Sequence, residues 1–299
     1  MNIDELLEEK KETGKQNPST HNKNQVCYCD NCGAKIICPD SITSTYCSYC
    51  GSPLILKDRI NSKKTPDFII PFSQKKEEAF RSLRKQMRYH FLIPSYFRKH
   101  FTIDEFQGIY LPFWSFDLQV NGEFSYCIPI EKDNSKIYKK VYSGNAYFNK
   151  VPIKATDSFS NALIESLEPY NLTELVPYNE LYLLGFMSQT YDVSSEEALG
   201  KAQQRVNRTA YSFFQKKSHN LKSHKDSTLY SFVTTPTKTY YVLLPVWMFS
   251  TSYKEKEYFF LMNGQTGKVC GNVPISNAKK IILFLVIFAL LITIVFVYK

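Results

Sequence analysis

Apolar and polar positions divide this chain into three unlike stretches. Ile281 to Tyr298 reads IILFLVIFALLITIVFVY, with Thr293 as its sole non-aromatic polar residue. A helix of that length rises about 27 Å, enough to cross the hydrocarbon of a bilayer. A soluble core helix would carry a polar stripe, and this segment has none. At the other end residues 1–25 are polar. Met1 to Glu12 predict a short charged helix and Thr13 to Gln25 a disordered stretch. No apolar signal-peptide core is present there.

The middle of the chain mixes strand-like and helix-like patterns. Its two tryptophans, the whole complement of the chain, occur in one repeated phrase: Leu111-Pro112-Phe113-Trp114-Ser115-Phe116 and Leu244-Pro245-Val246-Trp247-Met248-Phe249. An apolar strand precedes each phrase, Phe68 to Phe72 and Leu183 to Phe186. A helix start follows each strand, with Ser73 and Ser194 as N-caps and early glutamates favourable to the helix dipole. A hairpin follows each phrase. The first runs through Gly122 to Tyr126. The second comprises Tyr258 to Met262, a turn at Asn263 to Gly267, and Lys268 to Cys270. The expected fold is α+β: an N-terminal zinc ribbon, two repeated strand-helix-strand-hairpin modules and one C-terminal transmembrane helix. The expected boundaries are a charged N-terminus over 1–25, the ribbon over 26–57 and a first module over 58–150. A connecting helix and loop follow over 151–180, then a second module over 181–278 and the membrane tail over 279–299.

Cysteine spacing supplies the sharpest chemistry. Cys29-Asp30-Asn31-Cys32-Gly33 and Cys47-Ser48-Tyr49-Cys50-Gly51 are two glycine-backed pairs, fourteen residues apart. Two intervening residues aim both sulfurs of a tight turn at one ion, and the following glycine takes positive φ. Cys29, Cys32, Cys47 and Cys50 therefore predict one structural Zn2+ with no open coordination position. Ala34 to Cys38, Ser44 to Tyr46 and Pro53 to Leu56 read as the strands around it. Two disulfides or free thiols are the competing reading. Cys27 and Cys38 are left over, and Cys27 is the alternative to Cys29 as a ligand. Cys127 and Cys270 lie in apolar segments and read as small buried hydrophobes. Eight cysteines without a signal peptide indicate a reducing compartment.

Charge adds a question about partners. The net charge is +9. Arg81, Arg84, Lys85 and Arg88 share the first helix, followed by Arg98, Lys99 and His100. Lys216, Lys217, Lys222 and Lys225 crowd the loop expected after the second helix, with His219 and His224. Such faces meet nucleic-acid phosphates, an anionic leaflet or only solvent. Lys279 and Lys280 before the apolar segment keep the bulk of the chain cytoplasmic under the positive-inside rule. The expected protein is thus tail-anchored in the cell membrane with a single pass.

Other candidates read as structural. Trp114 and Trp247 are core anchors rather than a groove between repeats. Gly264 to Lys268 lacks the spacing of a phosphate loop and enters a strand. Glu165, Glu168 and Glu174 decorate a solvated loop after a helix over Asn161 to Leu167. The sequence has no Walker, nucleophile-elbow, zincin or dinucleotide motif, so no catalytic residue and no further cofactor is assigned.

Together the Cys-x-x-Cys-Gly pairs, Pro66 to Phe72, Gly108 to Trp114, Ser166 to Tyr170, Leu244 to Trp247 and Met262 to Lys268 resemble a family. It is that of the zinc-ribbon membrane proteins of Firmicutes labelled TFIIB-type zinc ribbon-containing, some of them named primosomal or helicase-like. The resemblance covers residues 27–275. The chain lacks the proline common after the first cysteine of such knuckles, which is not a ligand. The resemblance implies a cytoplasm-facing membrane protein, associated in some members with phage-shock or SPFH-type envelope-stress proteins. It does not support helicase activity, because the ATPase motifs are missing. The expected function is a non-enzymatic, membrane-tethered adaptor whose ribbon docks membrane or membrane-associated proteins, with lipid as a second partner. A tethered nucleic-acid-binding protein and an enzyme with a site between the repeats are the alternatives.

Overall fold

The computed structural model describes residues 24–61, 63–99, 106–130, 133–219, 229–253, 256–271 and 274–297. The helix expected over Met1 to Glu12 lies outside them, as do Lys222, His224 and Lys225. The cysteine-bearing end comprises β1 (Asn24–Tyr28), β2 (Lys35–Pro39), β3 (Ile42–Tyr46) and β4 (Pro53–Ile55). Next come α1 (Lys57–Asn61), β5 (Phe68–Ile69), α2 (Lys76–Tyr89) and α3 (Ser95–Lys99). Two long strands follow, β6 (Phe106–Ile130) and β7 (Asp133–Lys154), then α4 (Asn161–Glu165), β8 (Val176–Pro177) and β9 (Met187–Gln189). The chain continues through α5 (Ser195–His219), β10 (Leu229–Tyr253), β11 (Lys256–Asn263), β12 (Val269–Gly271) and α6 (Asn277–Val297). The fold is a mixed α+β structure with a sheet-rich core.

β6 and β10, 25 residues each, form its spine and pair antiparallel over Phe106–Ser125 and Leu229–Phe249. At about 3.3 Å per residue each runs about 80 Å, far beyond an ordinary strand. Leu111 pairs with Leu244 near the Phe106–Phe249 end of this ladder. Further along β6, β7 takes the edge, and β11 takes the equivalent edge of β10. Flanking the Leu111–Leu244 pair, the edges are filled by short parallel strands: β5 beside β10 through Phe68 and Val242, and β9 beside β6 through Met187 and Ile109.

Alternation along the spine sorts the core into two faces. Tyr110, Trp114, Phe116, Leu118 and Val120 point one way and pack under α5. That helix offers Ala198, Ala202, Val206 and Ala210, four residues apart, so small side chains let it lie close to the sheet. Phe106, Trp247, Phe249, Phe260 and Met262 pack under α2, which contributes Ala79, Phe80, Leu83 and Met87. Ile109, Leu111, Phe113, Val242, Leu244 and Val246 pack on α4 and its following loop. Both tryptophans are buried, as expected of core anchors. The Trp114 Nε1–H donates to the Val193 carbonyl at 2.9 Å, fixing the approach to α5. Trp247 stacks on Phe106 with ring centroids 5.1 Å apart.

Several sequence expectations need correction. Gly122 starts no turn: β6 passes straight through it, paired with Gly144 and Phe232. A Cβ there would sit 2.3 Å from the Phe232 ring, so the glycine clears room for an aromatic lying across the strand. Leu183 to Phe186 is not a strand. A 3-10 turn ends at Leu183, Gly185 has φ +82°, and pairing begins at Met187. Ser194 caps α5 by accepting from the Glu197 N–H at 3.2 Å. Ser73 caps nothing; α2 starts after Lys75, whose N–H donates to the Glu78 carboxylate at 3.3 Å. The helix at Asn161 ends at Glu165, and Glu168 is not solvated, since it forms a two-pronged ion pair with Arg205. β1 was not expected at all. Cys127 lies in β6 with its side chain outside the described residues. Cys270 is half-buried, and burial pushes its thiol up to about 11.

α6 leaves the body as a bare apolar rod. Its 21 residues rise about 31 Å, long and apolar enough to cross a membrane. Among the described residues, none of its apolar span is buried inside the protein.

Candidate metal centre

Two matching knuckles build the site. In the first, the Cys29 N–H donates to Ala34 O at 2.9 Å and the Gly33 N–H to Cys29 O at 2.7 Å. In the second, the Cys47 N–H donates to Ser52 O and the Gly51 N–H to Cys47 O, both at 2.9 Å. Gly33 and Gly51 have φ +70° and +72°, the left-handed conformation that a side chain would strain. Each turn thereby places two sulfurs on one side of the backbone, and β2–β3 brings the turns face to face.

All four sulfurs, of Cys29, Cys32, Cys47 and Cys50, lie within 4.8 Å of one another. Across the knuckles, Cys29 Sγ is 3.7 Å from Cys50 Sγ, and Cys32 Sγ is 3.7 Å from Cys47 Sγ. A disulfide needs about 2.05 Å, so these pairs are not bonded. A tetrahedral ion with metal–sulfur bonds of about 2.3 Å needs sulfur–sulfur edges of about 3.8 Å. The quartet fits a metal ion. Cys29 and Cys47 are buried, and Cys32 and Cys50 face solvent. Donors surround the sulfurs: the Tyr49 N–H donates to Cys47 Sγ at 3.4 Å and the Asn31 amide to Cys50 Sγ at 3.7 Å. Hydrogen bonds with Ser52, then Asn31, pull the Cys50 thiol down to about 5. Against the pull of the Ala34 backbone, hydrogen bonds with the crowded neighbouring sulfurs push Cys32 up to about 12.

Cys27 stands apart from the quartet. Its sulfur accepts from the Arg59 guanidinium at 3.3 Å, and it shares a hydrogen bond with the Cys38 thiol, although in the β1–β2 register Cys27 faces Ile36. Arg59 also donates to the Ile42 carbonyl at 2.9 Å and so ties α1 to the turn between β2 and β3.

The metal-binding end is joined to the body through the main sheet. β3 pairs with β9, Ile42 against Gln189 and Ser44 against Ser188. The Ser44 hydroxyl donates to Phe186 O at 2.8 Å, the Thr190 N–H donates to Ser41 O at 2.8 Å, and the Tyr46 hydroxyl reaches Gly185 O. This seam was invisible in the sequence, because Ser44, Ser188 and Thr190 are buried yet polar. On the free side, Val26 and Ile37 sit opposite each other on β1 and β2, with Tyr28 two residues on. They are 45%, 66% and 65% exposed, and Tyr49 of the second knuckle is 74% exposed.

The chain has a bacterial relative. Over 228 residues it is 33% identical to the uncharacterized protein YdjG of Bacillus subtilis strain 168. The match covers 72% of this chain and 65% of the relative, less than two thirds of the relative's length. That name carries no enzyme designation, so nothing in the likeness points to catalysis. No family model and no solved structure matches the chain.

Proposed function

We propose that the chain is a membrane-tethered adaptor whose metal-organised end docks a protein partner. The observation that carries this reading is the outer face of β1 and β2. Val26, Tyr28 and Ile37 form an exposed apolar stripe on a small module whose opposite side is braced against the main sheet. Exposed aromatic and aliphatic side chains on a rigid support are what a docking site requires. The ion is Zn2+, because four thiolates at tetrahedral spacing suit zinc and leave no position for substrate. Its role is structural, in keeping with the resemblance to TFIIB-type zinc-ribbon membrane proteins of Firmicutes. α6 spans the cell membrane once, with Lys279 and Lys280 at its cytoplasmic root. Cytoplasmic placement keeps the thiols reduced, and envelope-stress complexes are the setting that the resemblance favours.

The body is two interlocked copies of one strand-helix-strand-hairpin module. Equivalent residues Leu111 and Leu244 pair with each other. β5 of the first copy lies against β10 of the second, and β9 of the second against β6 of the first. Each helix then packs under the other copy's hairpin.

The docking reading is tested by a photo-crosslinking residue at position 28 in native membranes. A discrete crosslinked protein, lost in a Val26→Glu, Ile37→Glu variant that still holds its metal, is expected. Crosslinks to lipid or water alone would refute it.

A further inference from the structure

We propose that α2 and α3 form a seat for the phosphate of an anionic phospholipid headgroup, at the root of the membrane helix. The inference rests on α6 being a membrane span, and it deepens the membrane part of the proposed function. A groove of about 310 Å³ is lined by Arg84, Met87, Arg88, Ser95, Arg98 and Lys99. Four of these six carry positive charge, and none carries negative charge. Arg84 and Arg88 lie one helical turn apart on α2, and Arg98 and Lys99 end α3. Among the described residues none of the four is in an ion pair. Arg84 lies 5.8 Å from the Phe80 ring and Arg98 donates weakly to the Ser95 hydroxyl at 3.5 Å. Met87 is buried and floors the groove. Guanidinium groups crowded together without carboxylates match a phosphate, which takes two-pronged hydrogen bonds.

The position of the groove selects the source of that phosphate. The turn between α2 and α3 is fastened to the start of α6. The Ser276 N–H donates to Leu92 O at 2.9 Å, and Lys279 Nζ donates to Ile93 O at 2.8 Å. Lys279 Nζ also lies 5.4 Å over the Phe91 ring. Arg88 lies four residues before Leu92 in the chain, which places the groove beside the root of α6. Phe91, Tyr96 and Ile275 are 53%, 59% and 47% exposed around the same root. Aromatic and aliphatic residues at that height belong to a membrane interface. A nucleic acid would need a basic track reaching away from the membrane, whereas these four charges converge on one point beside it.

The test uses the full-length chain in a neutral detergent, with phosphatidylglycerol or phosphatidylcholine added and bound lipid counted by native mass spectrometry. Phosphatidylglycerol is expected to bind preferentially. Each basic residue near a charged surface contributes about fivefold. R84Q/R88Q/R98Q/K99Q is therefore expected to weaken phosphatidylglycerol at least about a hundredfold. R84K/R88K/R98K keeps the charge but not the two-pronged donors and is expected to bind more weakly than the native chain yet well above the glutamine variant, which separates lost charge from lost fold. Equal binding of the two lipids, or undiminished binding by the glutamine variant, overturns the assignment. Binding of inorganic phosphate or a single-stranded oligonucleotide without lipid preference also overturns it. Alkaline carbonate extraction of native membranes separates the two readings. A chain released by carbonate removes the membrane span itself, whereas a retained chain lacking lipid preference removes only the groove.

Discussion

Cys47 and Cys50 differ in surroundings but not in geometry, and that difference gives a sharp test of the metal centre. Cys47 is 2% exposed, whereas Cys50 faces solvent. An edge of 3.7 Å divided by about 1.63, the ratio of edge to radius in a tetrahedron, gives a metal–sulfur bond of about 2.3 Å, the zinc–thiolate value. A structural zinc site contributes about 10–16 kcal/mol, so one bond in four averages about 3 kcal/mol. That corresponds to more than a hundredfold in metal affinity. Cys47→Ser and Cys50→Ser are therefore expected to lose affinity to a similar degree, by at least about a hundredfold, in competition against a chromogenic chelator. Cys27→Ser and Cys38→Ser are expected to keep one metal per chain. If the cysteines were only packing groups, the buried Cys47 would matter and the exposed Cys50 would not. A large loss of stability in Cys47→Ser, with full metal retention in Cys50→Ser, would refute the four-thiolate site.

Further outcomes follow from other parts of the structure. Asn263 is fully buried; its amide donates to Leu167 O at 3.0 Å and its carbonyl accepts the Gln265 and Thr266 N–H groups, both at 2.9 Å. Asn263→Ala strands those groups and is expected to cost about 3 kcal/mol in thermal or urea unfolding, with a loss below about 1 kcal/mol counting against the network. For Glu168 and Arg205 the side chains are 15% and 40% exposed, so solvent screening trims the pair. A double-mutant cycle with Glu168→Gln and Arg205→Gln is expected to give a coupling of about 1 kcal/mol, and zero coupling would show the pair to be ornamental. Burial raises the carboxyl of Asp192 above its ordinary value, against the pull of the Asp157 N–H. A raised acid contributes its stability below the unfolded value and loses it as pH climbs through the folded one. Asp192→Asn is therefore expected to raise Tm at pH 7 and to lose that advantage near pH 3; a variant less stable at both pH values would contradict this. Chelation of the metal is expected to speed amide exchange at Met187 to Thr190, which are held by β3, while Phe259 to Met262 in β11 stay protected. Unchanged exchange at β9 would mean that the seam does not depend on the ion.

What could be read from the sequence follows from the range of each interaction. The knuckles were legible because their geometry is local: two residues between sulfurs and a glycine at positive φ. The second hairpin was legible because Asn263-Gly264 announces it, although nothing announced that Asn263 would hold the loop after α4. The long apolar helix needed composition alone. The 25-residue strands were not legible, since Gly122 and Pro236 look like breaks. The first clears room for Phe232, and the second sits where the β6–β10 register shifts. β9 was misplaced by three residues because Leu183 and Leu184 are more apolar than Met187-Ser188-Gln189, whose burial comes from partners distant in the chain. The basic residues of α2 were visible as a charged face. Their convergence with Arg98 and Lys99 depends on the turn at Leu92 to Pro94, which periodicity does not encode.

The long sheet links the cysteine quartet to the long apolar helix. Its strands run in the order β4, β3, β9, β6, β10, β11, β12. The metal-binding strands occupy one edge, and β12, the last strand before α6, occupies the other. Six intervals of about 4.8 Å separate those edges by about 29 Å. Backbone hydrogen bonds hold that distance, so it does not vary as a flexible linker would. β9 is the narrow point, with three residues between the metal-binding strands and the spine. Rigidity at that point comes from the seam to β3, and the order of β3 comes from the knuckles that flank it. On the function proposed above, an ion held by the four cysteines would therefore do more than fold a small module: it would fix the stance of the apolar stripe of β1 and β2 relative to the root of α6.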